Sequence, residues 1–198
     1  LDVEKVVYAS SSSVYGDTPT LPKTEDMLPN PQSPYAVSKL TGEYYCKAFH
    51  QVYALPYICL RYFNVYGPRQ DPDSQYAAVI PRFIKMVSEG NPPTIFGDGK
   101  QTRDFTFVKD AVVASVLAAE SELVGIFNIG RGESVTIERL ARIIIGLMGD
   151  GVKPINVEPR QGDVRHSLAD ISQARRFGYE PKYSLEAGLK QSVEWFSL

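Results

Sequence analysis

The 198 residues contain no apolar run of membrane-spanning length and no long block of like charge. The first absence excludes a transmembrane helix. The second, with a net charge of −2, excludes the basic groove or patch that nucleic acid or an anionic membrane surface would need. Cysteine and histidine are scarce. Cys46 and Cys59 cannot build the disulfide framework of a small secreted protein, so a reducing cytoplasm is the expected setting. His50 and His166 are far apart and join no cluster of ligands, so no metal is expected. The opening LDVEKVVYAS carries charges and no long apolar segment, which is not the pattern of a signal peptide. One more absence matters. No G-x-x-G-x-x-G turn, of the kind that sets a pyrophosphate on a helix N-terminus, occurs anywhere. The pairs GDG (97–99) and GRG (130–132) lack that spacing.

What remains is the composition of a globular protein, 43% hydrophobic and 22% charged. KVVYAS (5–10) reads as a short buried strand and YICLRYF (57–63) as another. Between them, five prolines from Pro19 to Pro34 exclude regular structure, and a helical pattern follows from Tyr35 to about Tyr53, with Leu40, Tyr44, Ala48 and Val52 on one stripe. PRFIKMVSEG reads as a helix with proline in its first turn, followed by a short strand in PTIFGDG and a strong helix over 107–120. GIFNIG reads as a strand, TIERLARIIIGLMG as a helix capped by Thr136, and DISQARRFGY and SLEAGLKQSVEWF as two final helices. Strands alternating with helices predict an α/β protein with a parallel sheet.

Two features bear on chemistry. In PYAVSK, Tyr35 and Lys39 are four residues apart, so a helix puts both on one face. An ammonium beside a phenol favours phenolate, which makes a usable base near neutral pH. By itself such a pair is more often a solvated surface accident. The second feature is ASSSSVYGD, directly after the first strand. A serine at the C-terminal end of a parallel strand stands where such sheets bind ligands, and its hydroxyl both donates and accepts. The bland reading is a flexible serine-rich turn.

The ordered series SSSSVYGD, SPYAVSK, LRYFNVYGPRQDP, AAVIPRFI, GDGKQTRDFTFVKD, FNIGRGE and RQGDVRHSLADIS resembles the extended short-chain dehydrogenase/reductase family, in its nucleotide-sugar 4-epimerase branch. The resemblance runs the length of the chain. It implies the C-terminal part of a Rossmann-type parallel sheet plus a small mixed α/β substrate-binding lobe. Residues 1–66 would hold the last strands and helix of the NAD-binding domain, and 67–198 mainly the UDP-sugar lobe, with about 104–130 returning to the sheet. The glycine-rich turn would lie in the part before residue 1, and the chain alone would then bind NAD poorly and be inactive.

The resemblance also assigns residues. Tyr35 would be the base that takes the proton of the sugar 4-hydroxyl, while the 4-hydrogen leaves as hydride to NAD and a transient 4-keto sugar forms. Ser11, four before the tyrosine of VYG, would hold that oxygen, with Ser12 and Ser13 near enough to share in sugar binding. Lys39 would bond the nicotinamide ribose; Ser10, Tyr62 and Phe63 would lie on the cofactor side. Arg103 and Arg160 match phosphate contacts, as the planar fork of arginine suits a diphosphate. Asp163 matches a ribose or uridine contact and Asn64 a sugar–phosphate contact. Ala78 and Val79 match a backbone contact to the nucleotide, and Phe96 could lie on the uracil. Ser167 replaces the bulky tyrosine of branches restricted to non-acetylated sugars, and Gln70 could give an N-acetyl group a polar partner. UDP-GlcNAc and UDP-GalNAc are therefore expected beside UDP-glucose and UDP-galactose.

Related branches fit less well. The 4,6-dehydratases carry an Asp-Glu pair where Ser12 and Ser13 stand, and the UDP-glucuronate epimerases usually replace RYFN by a threonine-bearing form, against Asn64. A UDP-sugar-binding module without redox activity is the reading from another class. The family usually forms homodimers through helices that include the one beginning at Tyr35.

Overall fold

The computed structural model describes residues 3–73, 78–149, 151–160 and 164–196. The first strand, β1 (Val6–Ser11), runs into a 3-10 turn (Ser12–Tyr15), and the proline-spaced loop leads to helix α1 (Pro34–Tyr53). There follow β2 (Tyr57–Tyr62), β3 (Val65–Tyr66), α2 (Val79–Ser88), β4 (Thr94–Phe96), β5 (Thr102–Asp104), β6 (Thr106–Phe107) and α3 (Val108–Glu120). The chain ends with β7 (Gly125–Ile129), β8 (Ser134–Thr136), α4 (Ile137–Met148), β9 (Ile155–Val157), α5 (Ser172–Arg175) and α6 (Leu185–Phe196).

The expected parallel sheet is present, in the order β1-β2-β7. Its register sets Ser10 beside Arg61 and Ser11 beside Tyr62, then Arg61 beside Asn128. The central strand is the apolar run YICLRY, buried at its first five positions, as a strand covered on both faces should be. Helix α1 and helix α3 both lie against β1 and β2. Ser33 caps α1 by accepting from the Ala36 amide at 3.2 Å, and proline stands in the first turn, where no intrahelical N–H is lost. Gly42 lets α1 approach β1 closely: a Cβ there would come within 2.2 Å of the Tyr8 ring. The stripe of Tyr44, Ala48 and Val52 faces outward, while Ala36 and Glu43 are buried.

A second core lies under α2, α4 and α6, built on Ile80, Ile84, Ile95, Leu140, Ile144 and Leu189. Short ladders stitch it together: β3 with β6 and β4 with β9 in parallel, β5 with β8 antiparallel. None of β3, β5, β6, β8 or β9 was expected from the sequence, because two or three residues carry no periodicity. Thr136 caps α4 as expected, accepting from the Arg139 amide at 3.1 Å. The helix expected in DISQARRFGY shrinks to the four residues of α5, since Gly178 ends it in the left-handed region at φ +88. Among the described residues no helix is long and apolar enough to cross a membrane, and no group of acidic, histidine and cysteine side chains could hold a metal ion.

Candidate active site

The end of β1 opens into a cavity of about 600 Å³. Its near wall carries Ser10, Ser11, Ser12 and Ser13 from the strand end, and Tyr35 and Lys39 from the first turns of α1. The Lys39 ammonium lies 5.6 Å from the Tyr35 ring centre and donates to the Ala9 carbonyl at 3.0 Å. Lys39 therefore both faces the phenol and anchors the helix to β1. Ser11 caps the 3-10 turn: its Oγ accepts from the Ser13 amide at 3.2 Å, which leaves its own proton to donate into the cavity. Ser13 is different, with a buried Oγ that has no partner. The Ser10 hydroxyl turns away to donate to the Glu43 carboxylate.

The far wall carries Tyr62, Phe63, Asn64, Arg103 and Ser167. Tyr62 shares a hydrogen bond of 2.7 Å with Ser115, and burial raises its phenol above the ordinary value while that bond pulls the other way. Phe63 is fully buried and packs against Tyr15 with tilted rings 6.2 Å apart, so it is core as well as wall. Asn64 holds the left-handed region at φ +36, a conformation asparagine tolerates better than most residues. Its amide donates to the Asp104 carbonyl at 2.8 Å and to Ser167 Oγ at 3.2 Å.

Asn64, Val65 and Arg103 also line a second cavity of about 410 Å³, whose floor is the core under α2. Ala78 and Val79 line it at the start of α2. Arg160 spreads its guanidinium over the Phe96 ring at 3.8 Å. Arg103 donates to the carbonyls of Thr102 at 2.9 Å and Arg165 at 3.3 Å. The sequence-derived residues thus divide between two adjoining cavities, with Asn64 and Arg103 in both. Gln70 lines neither; its amide donates to the Val65 carbonyl at 3.1 Å, and its Oε1 is buried without a partner. Asp163 lies outside the described residues.

Three residues that the sequence reading passed over support this arrangement. Lys23, 2% exposed, lines the first cavity, bonds to Thr18, and pairs its backbone with Leu168 and Asp170. Burial lowers its pKa, against the raising effect of Asp17. His166, noted above only as no metal ligand, also lines that cavity and bonds Thr102 Oγ1 at 3.0 Å. Asp104 is fully buried, and its carboxylate accepts from the amides of Arg131 at 2.8 Å, Gly132 at 3.0 Å and Ala169 at 3.1 Å. Burial pushes it up to about 6, with the three amide bonds and the Arg131 charge pulling down. That carboxylate explains the GRG turn: it gathers the turn, and the strand-like segment that follows Ser167, onto β5. Only the long sequence separation hid it.

Known proteins carry the same framework. The chain is 45% identical to UDP-N-acetylglucosamine 4-epimerase from Methanobrevibacter ruminantium M1, solved with UDP-N-acetylmuramic acid, at a TM-score of 0.96 over 98% of this chain and 63% of that one. It is 40% identical to UDP-glucose 4-epimerase from Thermotoga maritima, solved with UDP-glucose, at a TM-score of 0.94 over 98% of this chain and 64% of that one. Among curated proteins it is 41% identical over 197 residues to UDP-glucose 4-epimerase from Mycolicibacterium smegmatis, covering 98% of this chain and 63% of the relative. The chain therefore spans less than two thirds of the length of these relatives. The model of the NAD dependent epimerase/dehydratase family matches residues 1–130, and with the fold, the ordered motifs and these likenesses in agreement, the chain belongs to that family.

Proposed function

We propose that the protein carrying this chain is a nucleotide-sugar 4-epimerase, which interconverts UDP-GlcNAc with UDP-GalNAc, and UDP-glucose with UDP-galactose, using bound NAD. The observation that carries this reading is the meeting of Ser11, Tyr35 and Lys39 in one cavity that adjoins an arginine-bearing second cavity. In that geometry the Tyr35 phenol takes the proton of the sugar 4-hydroxyl and returns it on the other face. The Ser11 hydroxyl donates to the same oxygen and stabilises charge developing there. Arg160 on Phe96, with Arg103, suits a uridine diphosphate in the second cavity, and Ser167 leaves space beside the sugar for an acetamido group. Asp163, Asn64, Ala78 and Val79 complete the proposed nucleotide contacts, with Ser12 and Ser13 on the sugar; Gln70, which lines neither cavity, is left out of the sugar contacts.

The first cavity fits the nicotinamide end of a dinucleotide. Hydroxyls and ammonium groups line it, no carboxylate does among the described residues, and Ser13 Oγ stands buried without a partner. Lys39, Tyr35, Tyr62 and Phe63 would hold that end, while the Ser10 hydroxyl, committed to Glu43, contributes only its backbone to the wall. NAD, when bound, supplies a reversible acceptor for the hydride at the sugar carbon. The pyrophosphate half has no glycine-rich turn here. We therefore assign 1–66 to the sheet domain, and 67–198 mainly to the nucleotide-sugar lobe, with about 104–130 back on the sheet. These 198 residues alone are then expected to bind UDP and to leave NAD unbound. The outward face of α1, with Tyr44, Tyr45, Phe49, Val52 and Tyr53 exposed, supports a homodimer with a second copy of this chain. The free thiols of Cys46 and Cys59 suit a cytoplasmic setting.

Titration calorimetry and a turnover assay test this together. The full-length protein loaded with NAD should convert UDP-GlcNAc to UDP-GalNAc, followed by NMR of the product. No conversion of any UDP-sugar at C4 overturns the reading. Tight NAD binding by the 198 residues alone overturns the division of labour between the two portions.

A further inference from the structure

Among the described residues, Glu43 and Arg61 form the one ion pair in which both side chains are buried, at 1% and 2% exposure. The bonds are bidentate: Arg61 Nε donates to Glu43 Oε1 at 2.9 Å and Nη2 to Oε2 at 2.7 Å. Glu43 stands four residues after Lys39 and eight after Tyr35, so all three occupy one stripe of α1. Lys39 reaches the Ala9 carbonyl, and Glu43 accepts from the Ser10 hydroxyl, the two residues directly before Ser11. Arg61 is the ladder partner of Ser10 on β2. Its guanidinium also lies 4.7 Å from the ring centre of Tyr15, the last residue of the turn that Ser11 caps. Tyr15 in turn donates to Asn128 on β7 at 2.7 Å. One carboxylate thus bolts α1 to β1, to β2 and, through Arg61, to the serine turn.

Stability does not explain the pair. A well-packed apolar pair of similar volume is often as stable or more so, and here Arg61 Nη1 is left buried without a partner. A bidentate fork does what apolar packing does not: it fixes a helix against sliding and rolling. We propose that Glu43 and Arg61 are positioning residues, which set the register of α1 on β1 so that Tyr35 and Lys39 stay aligned with Ser11. This rests on the epimerase reading above.

The decisive variant of the full-length protein is Glu43→Met with Arg61→Leu, which removes both charges and keeps the volume. It should melt near the wild-type temperature, bind UDP as before and keep its KM, while kcat falls about 10²-fold, the penalty of a misplacement near 1 Å. A folded double variant with wild-type kcat overturns the proposal, and so does a parallel loss of UDP affinity, which would mean a general structural role. Should the double variant fail to fold, Arg61→Lys, which keeps the charge and loses the fork, should lower kcat at constant KM; an unchanged kcat overturns the proposal equally. A crystal structure of the folded variant is read without any turnover. It should show the bond from Lys39 to the Ala9 carbonyl broken, and an unmoved α1 overturns the proposal. A wild type that converts no UDP-sugar would sink the epimerase reading instead, and that structure would still judge the positioning claim.

Discussion

The two cavities meet at Asn64, Val65 and Arg103 and are otherwise made of different materials. The first is lined by hydroxyls, two phenols and two ammonium groups at the end of a parallel sheet. The second is floored by Ile80, Phe83, Ile95 and Phe105, with arginines among its lining residues. Groups that move protons need partners at hydrogen-bond distance and little freedom, and the sheet edge provides both. Groups that grip a nucleotide need flat apolar surface and forked cations, which α2 and the short ladders provide. On the proposed function, the contrast makes reaction and recognition separable except where the shared residues couple them.

The sharpest test of that separation is Tyr35→Phe in the full-length protein. Turnover should fall by about 10²- to 10⁴-fold, the range for loss of a general base, with UDP-sugar affinity by calorimetry nearly unchanged. Retained turnover would remove Tyr35 from its role; lost affinity would merge the two cavities. The mirror experiment is Arg160→Ala. It strips the cation from Phe96 and from a bound diphosphate, so UDP affinity should drop about 10- to 100-fold, as for a lost charge-assisted bond, while kcat at saturation holds. Ser167→Tyr probes the wall near the shared residues. Ser167 Oγ accepts from Asn64, and a phenol ring there would fill the space proposed for the acetamido group. UDP-GlcNAc turnover should fall about tenfold or more, with UDP-glucose spared. Equal loss on both would mean that Ser167 is no gate.

The sequence reading succeeded where residues near in sequence work together. Helix spacing puts Tyr35 and Lys39 on one face of α1, and three apolar runs mark strands β1, β2 and β7 of a parallel sheet, whereas Ser11 is singled out among the serines by the family resemblance alone. It did not reach contacts whose partners lie far along the chain. Nothing local marks Glu43, since only the fold brings Arg61 to it. The stripe of Tyr44, Ala48 and Val52 was legible as a helical face but not as the outer one, since burial on α1 falls to Ala36 and Glu43. Lys23 sat in a proline-rich loop that promised no order, yet its backbone pairs with the segment carrying Ser167. Short ladders such as β5 with β8 are set by tertiary packing and carry no local signal.

Asp104 gives the mildest prediction and the one that joins the two cavities. Its neighbour Arg103 lines both, its own carbonyl accepts from Asn64, and its carboxylate holds the turn at Gly132 and the backbone at Ala169. Its folded pKa of about 6 lies above the roughly 3.9 of an unfolded aspartate, so the native state binds this proton more tightly. The stabilisation is then complete below about pH 4 and is lost as pH rises through about 6. Asp170 slopes the other way. Hydrogen bonds from Ser172 lower its pKa, so its contribution is present above the unfolded value and lost as pH falls. The two slopes oppose each other in a melt of the wild type, and the difference between wild type and Asp104→Asn isolates the first. That difference in melting temperature should shrink steadily from pH 4 to pH 7. A constant difference would mean that native Asp104 is already ionised at pH 4, with no raised pKa to lose.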